Sequence, residues 1–259
     1  PSPDFLLHQS SLPSSLKIII PALGLYNPSF ITQPSLHILM KKNKLALFDL
    51  DDTLFDGDTE AEWVKYMDHR GFIQDFDFYP KMKAFEKNYR EGRLDVDEYS
   101  EFLLSPIIGK SLKELEDHIE DFTSNIVTRF SDELSQELLD KHKNDIKVLT
   151  SGSLSFLVHK IGNKLGIDNC FGTDPEYLQG QFTGRVEGRP NFSQEKVRRI
   201  NKWMGSKKFD QIFSYSDSIH DLPLLEFADF PMAISPDKEL RRVAKEREWL
   251  IDDRRSSYS

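Results

Sequence analysis

An apolar run that ends in carboxylates constrains the fold of this chain more than any other feature. The run from Leu45 to Phe48 has the length and composition of a strand buried on both faces of a parallel sheet. Asp49 and Asp51 follow it, at the end of the strand where open α/β sheets bind their ligands. Since side chains alternate along a strand, both carboxylates face the same way and repel each other. We therefore expect a hard divalent cation such as Mg²⁺ between them.

Acidic pairs also occur in metal-dependent nucleases, in receiver domains and on solvated surfaces, so this string does not decide the function alone. The formal net charge of −9 argues against nucleic acid, including a nuclease function, and against an anionic membrane surface. A small anion remains a plausible ligand. With 38% hydrophobic residues, 259 residues are enough for one large core or a core with a smaller module.

Two further apolar strands are predicted to end in polar groups. The first, from Ile146 to Leu149, stops at small residues that include Ser151 and Gly152, and an apolar helical pattern follows. Backbone N–H groups at such a strand-to-helix turn suit a phosphate, although the same residues also cap helices without binding anything. The second strand, from Gln211, ends at Asp217, and Asp221 lies four residues further on.

Lys196 is predicted to lie in the first turn of a helix that Ser193 opens. The helix dipole disfavours a cation there by about 0.3–1 kcal/mol, and a bound anion would reverse that penalty. A solvated surface lysine is the alternative interpretation. His220, between the two acidic residues of the last strand tip, is read as a loop side chain without a metal contact, because Mg²⁺ prefers oxygen ligands.

Between the first and second strands the sequence is predicted to be helical. Helices are expected from a cap at Thr59, over Tyr79 to Tyr89 and Val96 to Leu104, and as one long helix over Leu112 to Leu139. We predict that residues 59–140 form a helical cap, inserted into an α/β core made of residues 40–58 and 141–259.

These four motifs, in this order, resemble those of the haloacid dehalogenase (HAD) superfamily of phosphohydrolases. The stretch from Ser216 to Leu225 is most similar to the phosphoserine-phosphatase-like subgroup, and within it to bacterial proteins assigned as phosphoserine or histidinol-phosphate phosphatases. The resemblance covers about residues 44–251. It implies a doubly wound parallel sheet with an inserted all-helical cap, and a phosphatase of small phosphomonoesters.

The resemblance also implies the roles of individual residues. Asp49 would be the nucleophile and Asp51 the general acid and base. Mg²⁺ would be held by Asp49, Asp217 and the backbone carbonyl of Asp51. The phosphate would be held by Ser151, Lys196 and the N–H groups near Leu50, Asp51 and Gly152. Thr53 would fix the loop geometry, and Asp221 would orient Lys196 or a metal-bound water.

The substrate is less constrained by the sequence. Related phosphoserine phosphatases read the substrate amine with a glutamate at the position of Asp58, and Glu60 lies nearby, so an ammonium-bearing substrate is expected. Their cap arginine for the substrate carboxylate aligns roughly with Leu103 or Leu104, which favours an amino-alcohol phosphate such as histidinol phosphate as much as phosphoserine. A phosphotransferase or mutase and a non-catalytic binding module are the alternatives, and no oligomeric state is predicted.

Residues 1–39 differ from the rest of the chain. They contain six prolines and seven serines but only two charged residues, Asp4 and Lys17. We expect a disordered or non-native extension, with the working protein starting at Met40. Its apolar stretch is far shorter than the ~20 residues that span a bilayer, so no membrane association is predicted. The single cysteine, Cys170, rules out an internal disulfide, which agrees with a cytoplasmic location.

Overall fold

The computed structural model describes residues 43–254. The predicted N-terminal extension, residues 1–39, and its predicted boundary at Met40 lie outside the described residues. Eight strands are present in the described part. Their bounds are Lys44–Phe48 (β1), Ile146–Leu154 (β2), Asn169–Thr173 (β3), Pro175–Leu178 (β4), Gln181–Val186 (β5), Gln211–Ser216 (β6), Phe230–Ile234 (β7) and Leu250–Asp252 (β8).

Six of these strands form one parallel sheet in the order β3-β2-β1-β6-β7-β8, and β4 and β5 form a separate antiparallel hairpin. The α-helices of the described residues are Thr59–His69 (α1), Phe78–Arg90 (α2), Val96–Leu104 (α3), Leu112–Phe130 (α4), Glu133–Lys141 (α5), Ser155–Lys164 (α6), Gln194–Met204 (α7), Leu222–Glu226 (α8) and Lys238–Glu246 (α9). None of these helices is both long and apolar enough to cross a bilayer.

Strand β1 is covered by helices on both faces of the sheet. Ala46 and Phe48 pack into a cluster with residues of α1, α4 and α6, whereas Leu45 and Leu47 pack with residues of α7 and α8. All four side chains are fully buried. Burial on both faces is what a continuous apolar strand requires, and it confirms the predicted doubly wound α/β fold.

The segment between β1 and β2 is helical, as the sequence predicts, and it contains the five helices α1 to α5. Two details differ from the prediction. Asp58, and not Thr59, caps α1, since its carboxylate accepts a hydrogen bond from the Ala61 N–H at 2.9 Å. The predicted helix Leu112 to Leu139 is two helices, because the Asp132 carboxylate caps α5 through the Ser135 N–H and ends the run. The division into cap and core remains a prediction.

The segment between β1 and α1 lies beside the junction of α4 and α5. The Asp56 N–H donates to the Phe130 carbonyl at 2.9 Å. The guanidinium of Arg254 donates to Asp132 at 2.6 Å and also to the backbone carbonyl of Thr53. Arg254 therefore ties the α4–α5 junction to the turn that follows β1.

Candidate active site

The strand order brings three predicted site residues to one edge of the sheet. Strand β1 lies between β2 and β6, and all three run in parallel, so their carboxyl ends are neighbours. Asp49 follows β1, Ser151 lies near the end of β2, and Asp217 follows β6. All three line a cavity of about 550 Å³, which Lys196 and Asp221 also line. Three strand tips and the start of α7 therefore meet at one cavity.

Lys196 lies between two carboxylates that also line this cavity. Its ammonium is 2.8 Å from Asp49 Oδ1 and 2.6 Å from Asp221 Oδ2, and the side chain is buried. Burial alone disfavours the ammonium, but the charges of Asp221 and Asp49 outweigh it and raise the pKa of Lys196. The Ser216 hydroxyl donates to the same Asp221 oxygen at 2.9 Å. Lys196 is therefore a buried, charged group, and the alternative of a solvated surface lysine is wrong.

Thr53 connects the first and last strand tips. Its hydroxyl lies 3.3 Å from Asp49 Oδ2 and 3.2 Å from Asp217 Oδ1, so it can donate to either carboxylate. The turn over Leu50–Leu54 that presents it includes Asp52 at a φ of 53°. Burial, opposed by Lys196, raises the pKa of Asp49 to about 6. Burial and the Asp49 charge raise the pKa of Asp217 well above its usual range.

The donor set of this region fits Mg²⁺. Four buried or partly buried carboxylates, those of Asp49, Asp51, Asp217 and Asp221, line the cavity with one buried ammonium, that of Lys196, so this region lacks positive charge. In the described part of the chain, no three His, Cys, Asp or Glu side chains form a metal cluster by themselves. That is compatible with Mg²⁺, which takes a few carboxylate oxygens and completes its shell with carbonyl, water and phosphate oxygens.

Asp51 is held from two sides. Its Oδ1 accepts the Thr59 N–H at 2.7 Å, and its Oδ2 accepts the hydroxyls of Ser151 and Ser153, each at 3.2 Å. Burial, followed by the charges of Asp58 and Asp49, raises its pKa to about 7. Asp51 can therefore both lose and regain a proton near neutral pH, which suits a general acid and base.

Asp58 and Glu60 line the same cavity from the side of α1. Asp58 is partly committed to capping that helix. Glu60 accepts a hydrogen bond from the Tyr99 hydroxyl at 3.0 Å. Burial, with the charges of Asp58 and Asp51, raises the pKa of Glu60 to about 8. A cation bound beside Glu60 would stabilise its ionised form.

Helix α2 contacts the segment that follows β6, beside the cavity. The Tyr89 hydroxyl is 3.1 Å from Ser218 Oγ, and the imidazole of His220 lies between the rings of Tyr89 and Phe192, with centroids 4.8 and 5.0 Å away. The sequence did not predict these contacts. His220 packs between aromatic rings, which agrees with its interpretation as a loop side chain.

Several residues of the site are not among those that the sequence predicts. Ser153 stands two positions after Ser151 and reaches the same carboxylate, which the period-two alternation of β2 could have predicted. Thr173, Asn191 and Ser216 are buried polar residues whose hydrogen-bond partners are set by the fold.

Comparison with known proteins identifies the family. The family model described as haloacid dehalogenase-like hydrolase matches residues 46–226. A histidinol-phosphatase of Neisseria meningitidis is 30% identical over 215 residues, covering 80% of this chain and 97% of that protein.

Two solved structures share the fold. A protein of unknown function from Bordetella pertussis superposes with a TM-score of 0.75 at 30% identity, covering 82% of this chain and 99% of its own. A phosphoserine phosphatase solved as a phospho-aspartyl intermediate analogue superposes with a TM-score of 0.60 at 22% identity, covering 83% and 95%. The fold, the four motifs and these similarities together show that the chain belongs to the haloacid dehalogenase-like hydrolase family.

Proposed function

We propose that the protein is a Mg²⁺-dependent phosphomonoester hydrolase that works through an aspartyl phosphate on Asp49. The observation that best supports this proposal is the position of the Asp49 carboxylate at the edge of the sheet. It is hydrogen-bonded by Lys196 and Thr53, and it lines the same cavity as Asp51. A carboxylate nucleophile divides hydrolysis into two easier displacements.

In the first step an Asp49 oxygen attacks phosphorus in line, and the bond from phosphorus to the substrate oxygen breaks. Asp51 gives its proton to the departing alkoxide, which leaves as an alcohol. In the second step Asp51 takes a proton from a water molecule while that water attacks the phosphorus of the aspartyl phosphate. Inorganic phosphate and the free Asp49 carboxylate result. The pKa of Asp51, about 7, suits both proton transfers.

The transferred phosphoryl group carries negative charge on its three equatorial oxygens. Lys196, Ser151 and the N–H groups of Leu50, Asp51 and Gly152 are the groups that we assign to these oxygens. Asp49, Asp217 and the backbone carbonyl of Asp51 would hold the Mg²⁺, which offsets the repulsion between the carboxylates and the phosphate. Asp221 keeps Lys196 charged and in place.

The charge of the cavity favours a cationic leaving group. Nine acidic residues line the cavity, against two basic ones, Lys196 and Arg90. Arg90 is largely exposed and lies 3.6 Å from Glu86, so it is a weak partner for a substrate carboxylate. Leu103 and Leu104, at the expected place of a carboxylate-binding arginine, are buried in apolar surroundings. These features disfavour phosphoserine.

We therefore infer that the substrate carries an amine without a carboxylate, as histidinol phosphate does. Glu60 and Asp58 supply the carboxylates for the amine. The name of the Neisseria relative, histidinol-phosphatase, agrees with this substrate class.

A kinetic panel tests this function. We expect the purified full chain to release inorganic phosphate from histidinol phosphate, O-phosphoserine and p-nitrophenyl phosphate only when Mg²⁺ is present. We also expect kcat/KM to be at least about tenfold higher for histidinol phosphate than for phosphoserine, because the unpaired substrate carboxylate meets an acidic cavity. A preference for phosphoserine would contradict the substrate, and transfer of phosphate to an added alcohol would indicate a phosphotransferase.

Mg²⁺ is expected to stabilise the protein more at high pH than at low pH. The folded-state pKa values of Asp49, Asp51 and Asp217 all lie above their unfolded values, so the metal-free native state binds extra protons. The contribution of these protons to the stability of the metal-free protein is therefore fully present at a pH below the unfolded-state pKa values. It is lost as the pH rises through the folded-state pKa values. Bound Mg²⁺ competes with those protons.

Thermal unfolding measures this effect. When the Mg²⁺ concentration is about a hundred times its Kd, binding should raise the free energy of unfolding by roughly 2.7 kcal/mol. Near pH 8 this corresponds to a Tm increase of about 5–10 °C. Near pH 5 the increase should be much smaller. The Asp217→Asn variant, which keeps the side-chain shape, should lose most of the increase. An equal increase at both pH values would contradict the proposed site.

A further inference from the structure

The ladder between β2 and β3 is interrupted beside the proposed phosphate site. Thr150 pairs with Phe171, but the next pair is Leu154 with Thr173, so three residues of β2 oppose a single residue of β3. Gly172 permits the close approach, because a Cβ at this position would lie 2.6 Å from the Ser153 carbonyl oxygen. Ser151 and Gly152 belong to the interrupted segment.

Asn191 fills the interruption. Its side chain is fully buried, and its Nδ2 lies 2.9 Å from the Ser151 carbonyl oxygen and 3.1 Å from the Phe171 carbonyl oxygen. Because carbonyl oxygens only accept hydrogen bonds, these two neighbours settle which atom of the amide is the nitrogen. One amide thus bonds to a carbonyl group on each of the two strands where the ladder is open.

Thr173 holds the next carbonyl of the same segment. Its hydroxyl donates to the Gly152 carbonyl oxygen at 2.5 Å and accepts the backbone N–H of Asn191 at 3.0 Å. The consecutive carbonyl groups of Ser151 and Gly152 therefore both accept side-chain hydrogen bonds, the first from Asn191 and the second from Thr173. This network joins the end of β2 to the segment that leads into α7 and Lys196.

The orientation of one carbonyl determines the orientation of the following N–H. The Ser151 carbonyl and the Gly152 N–H belong to the same peptide unit, which is planar and trans, so they point in opposite directions. With the carbonyl held by Asn191, the Gly152 N–H points away from Asn191. Gly152 itself lines the cavity of Asp49 and Lys196.

We propose that Asn191 is a positioning residue for phosphate, which acts by fixing the Ser151–Gly152 peptide so that the Gly152 N–H faces the phosphate. The proposal rests on the proposed function, because it assumes that phosphate binds in this cavity. Asn191 does not line the cavity itself, so it acts only through this peptide.

The test compares two asparagines that bridge the same two strands. Asn169 also donates across them, from Nδ2 to the Lys147 carbonyl oxygen at 3.1 Å, but at the far end from the cavity. Asn→Leu removes the amide without adding charge. In calorimetric titrations of the full chain with inorganic phosphate in the presence of Mg²⁺, we expect Asn191→Leu to raise the Kd about tenfold or more. Asn169→Leu should leave the Kd unchanged.

A second pair of variants keeps the test decisive if Asn191→Leu does not fold. Thr173→Val removes the hydroxyl that holds the Gly152 carbonyl and should raise the phosphate Kd, whereas Thr173→Ser keeps the hydroxyl and should restore binding. If the wild-type chain binds no phosphate, the proposed function fails and this inference with it. If the wild type binds phosphate but Thr173→Val binds as tightly, or Asn169→Leu binds as weakly as Asn191→Leu, the positioning role is overturned.

Discussion

Asp49→Asn is expected to abolish phosphate release while the protein stays folded. An amide is a very poor nucleophile toward phosphorus, so kcat should fall by at least about four orders of magnitude. The substitution keeps the side-chain shape. The Oδ1 of the asparagine can still accept the hydrogen bond from Lys196, which is 2.8 Å long in the wild-type chain. Steady-state release of phosphate from p-nitrophenyl phosphate, in the presence of Mg²⁺, measures the effect.

Stability separates this result from simple unfolding. Burial and the charge of Asp221 both oppose ionisation of Asp49 and, although Lys196 favours it, raise the pKa of this carboxyl to about 6. Replacing the carboxylate by a neutral amide should therefore leave the Tm of the metal-free protein unchanged or higher near pH 8. The matched control is Asp56→Asn, an exposed aspartate of the following segment, for which we expect normal turnover.

A fully active Asp49→Asn enzyme would rule out the covalent route. Asp51→Asn should also abolish turnover, but for a different reason, because an amide at this position can neither give a proton to the leaving group nor take one from water. If Asp49→Asn retained activity while Asp51→Asn lost it, water would be the nucleophile and Asp51 its base. The pair of variants therefore distinguishes the two reaction routes.

The parts of the site that the sequence predicts are those at the ends of strands. An apolar run followed by a carboxylate marks both a buried strand and its tip, so Asp49 and Asp217 could be placed before their neighbours were known. Their proximity depends on β1 and β6 being neighbours in the parallel sheet, where the carboxyl ends of both strands meet at one edge. The family resemblance supplied the order of the motifs.

The parts that the sequence does not predict depend on contacts between distant segments. Asn191 bonds to residues 20 and 40 positions away, and nothing around it in the sequence marks it as buried. Arg254, near the end of the described chain, bonds to the turn after β1. The break at Asp132 also went unpredicted, because the apolar periodicity continues through it and only the local capping hydrogen bond ends the first helix.

Lys196→Met is expected to reduce both activity and stability, the second in a pH-dependent way. The ammonium sits in the first turn of α7, where the helix dipole disfavours a cation, so two close carboxylates hold it there. Without it, Asp49 and Asp221 face each other with no counter-ion. The phosphoryl oxygens also lose a charged donor, so kcat/KM should fall about 10²- to 10³-fold.

The pH dependence follows from Asp49. Burial already raises the folded-state pKa of Asp49, and the Lys196 charge partly offsets this increase. Removing that charge therefore raises the pKa of Asp49 further. The variant should therefore lose about 3–5 kcal/mol of unfolding free energy near pH 8, where the ionised Asp49 carboxylate no longer has the Lys196 counter-ion. Near pH 5 it should lose much less, because protonation removes the repulsion. Urea unfolding of the metal-free protein at both pH values measures the difference.

Lys202→Met is the matched control, since this lysine is exposed on the same helix, and we expect little change in stability or activity. If Lys196→Met were destabilised equally at both pH values, the loss of stability would come from lost packing. The charge balance between Lys196 and its two carboxylates would then be unimportant. Retained activity would remove Lys196 from the phosphate site. The combination that supports the mechanism is a stability loss that grows with pH together with a turnover loss that Mg²⁺ does not reverse.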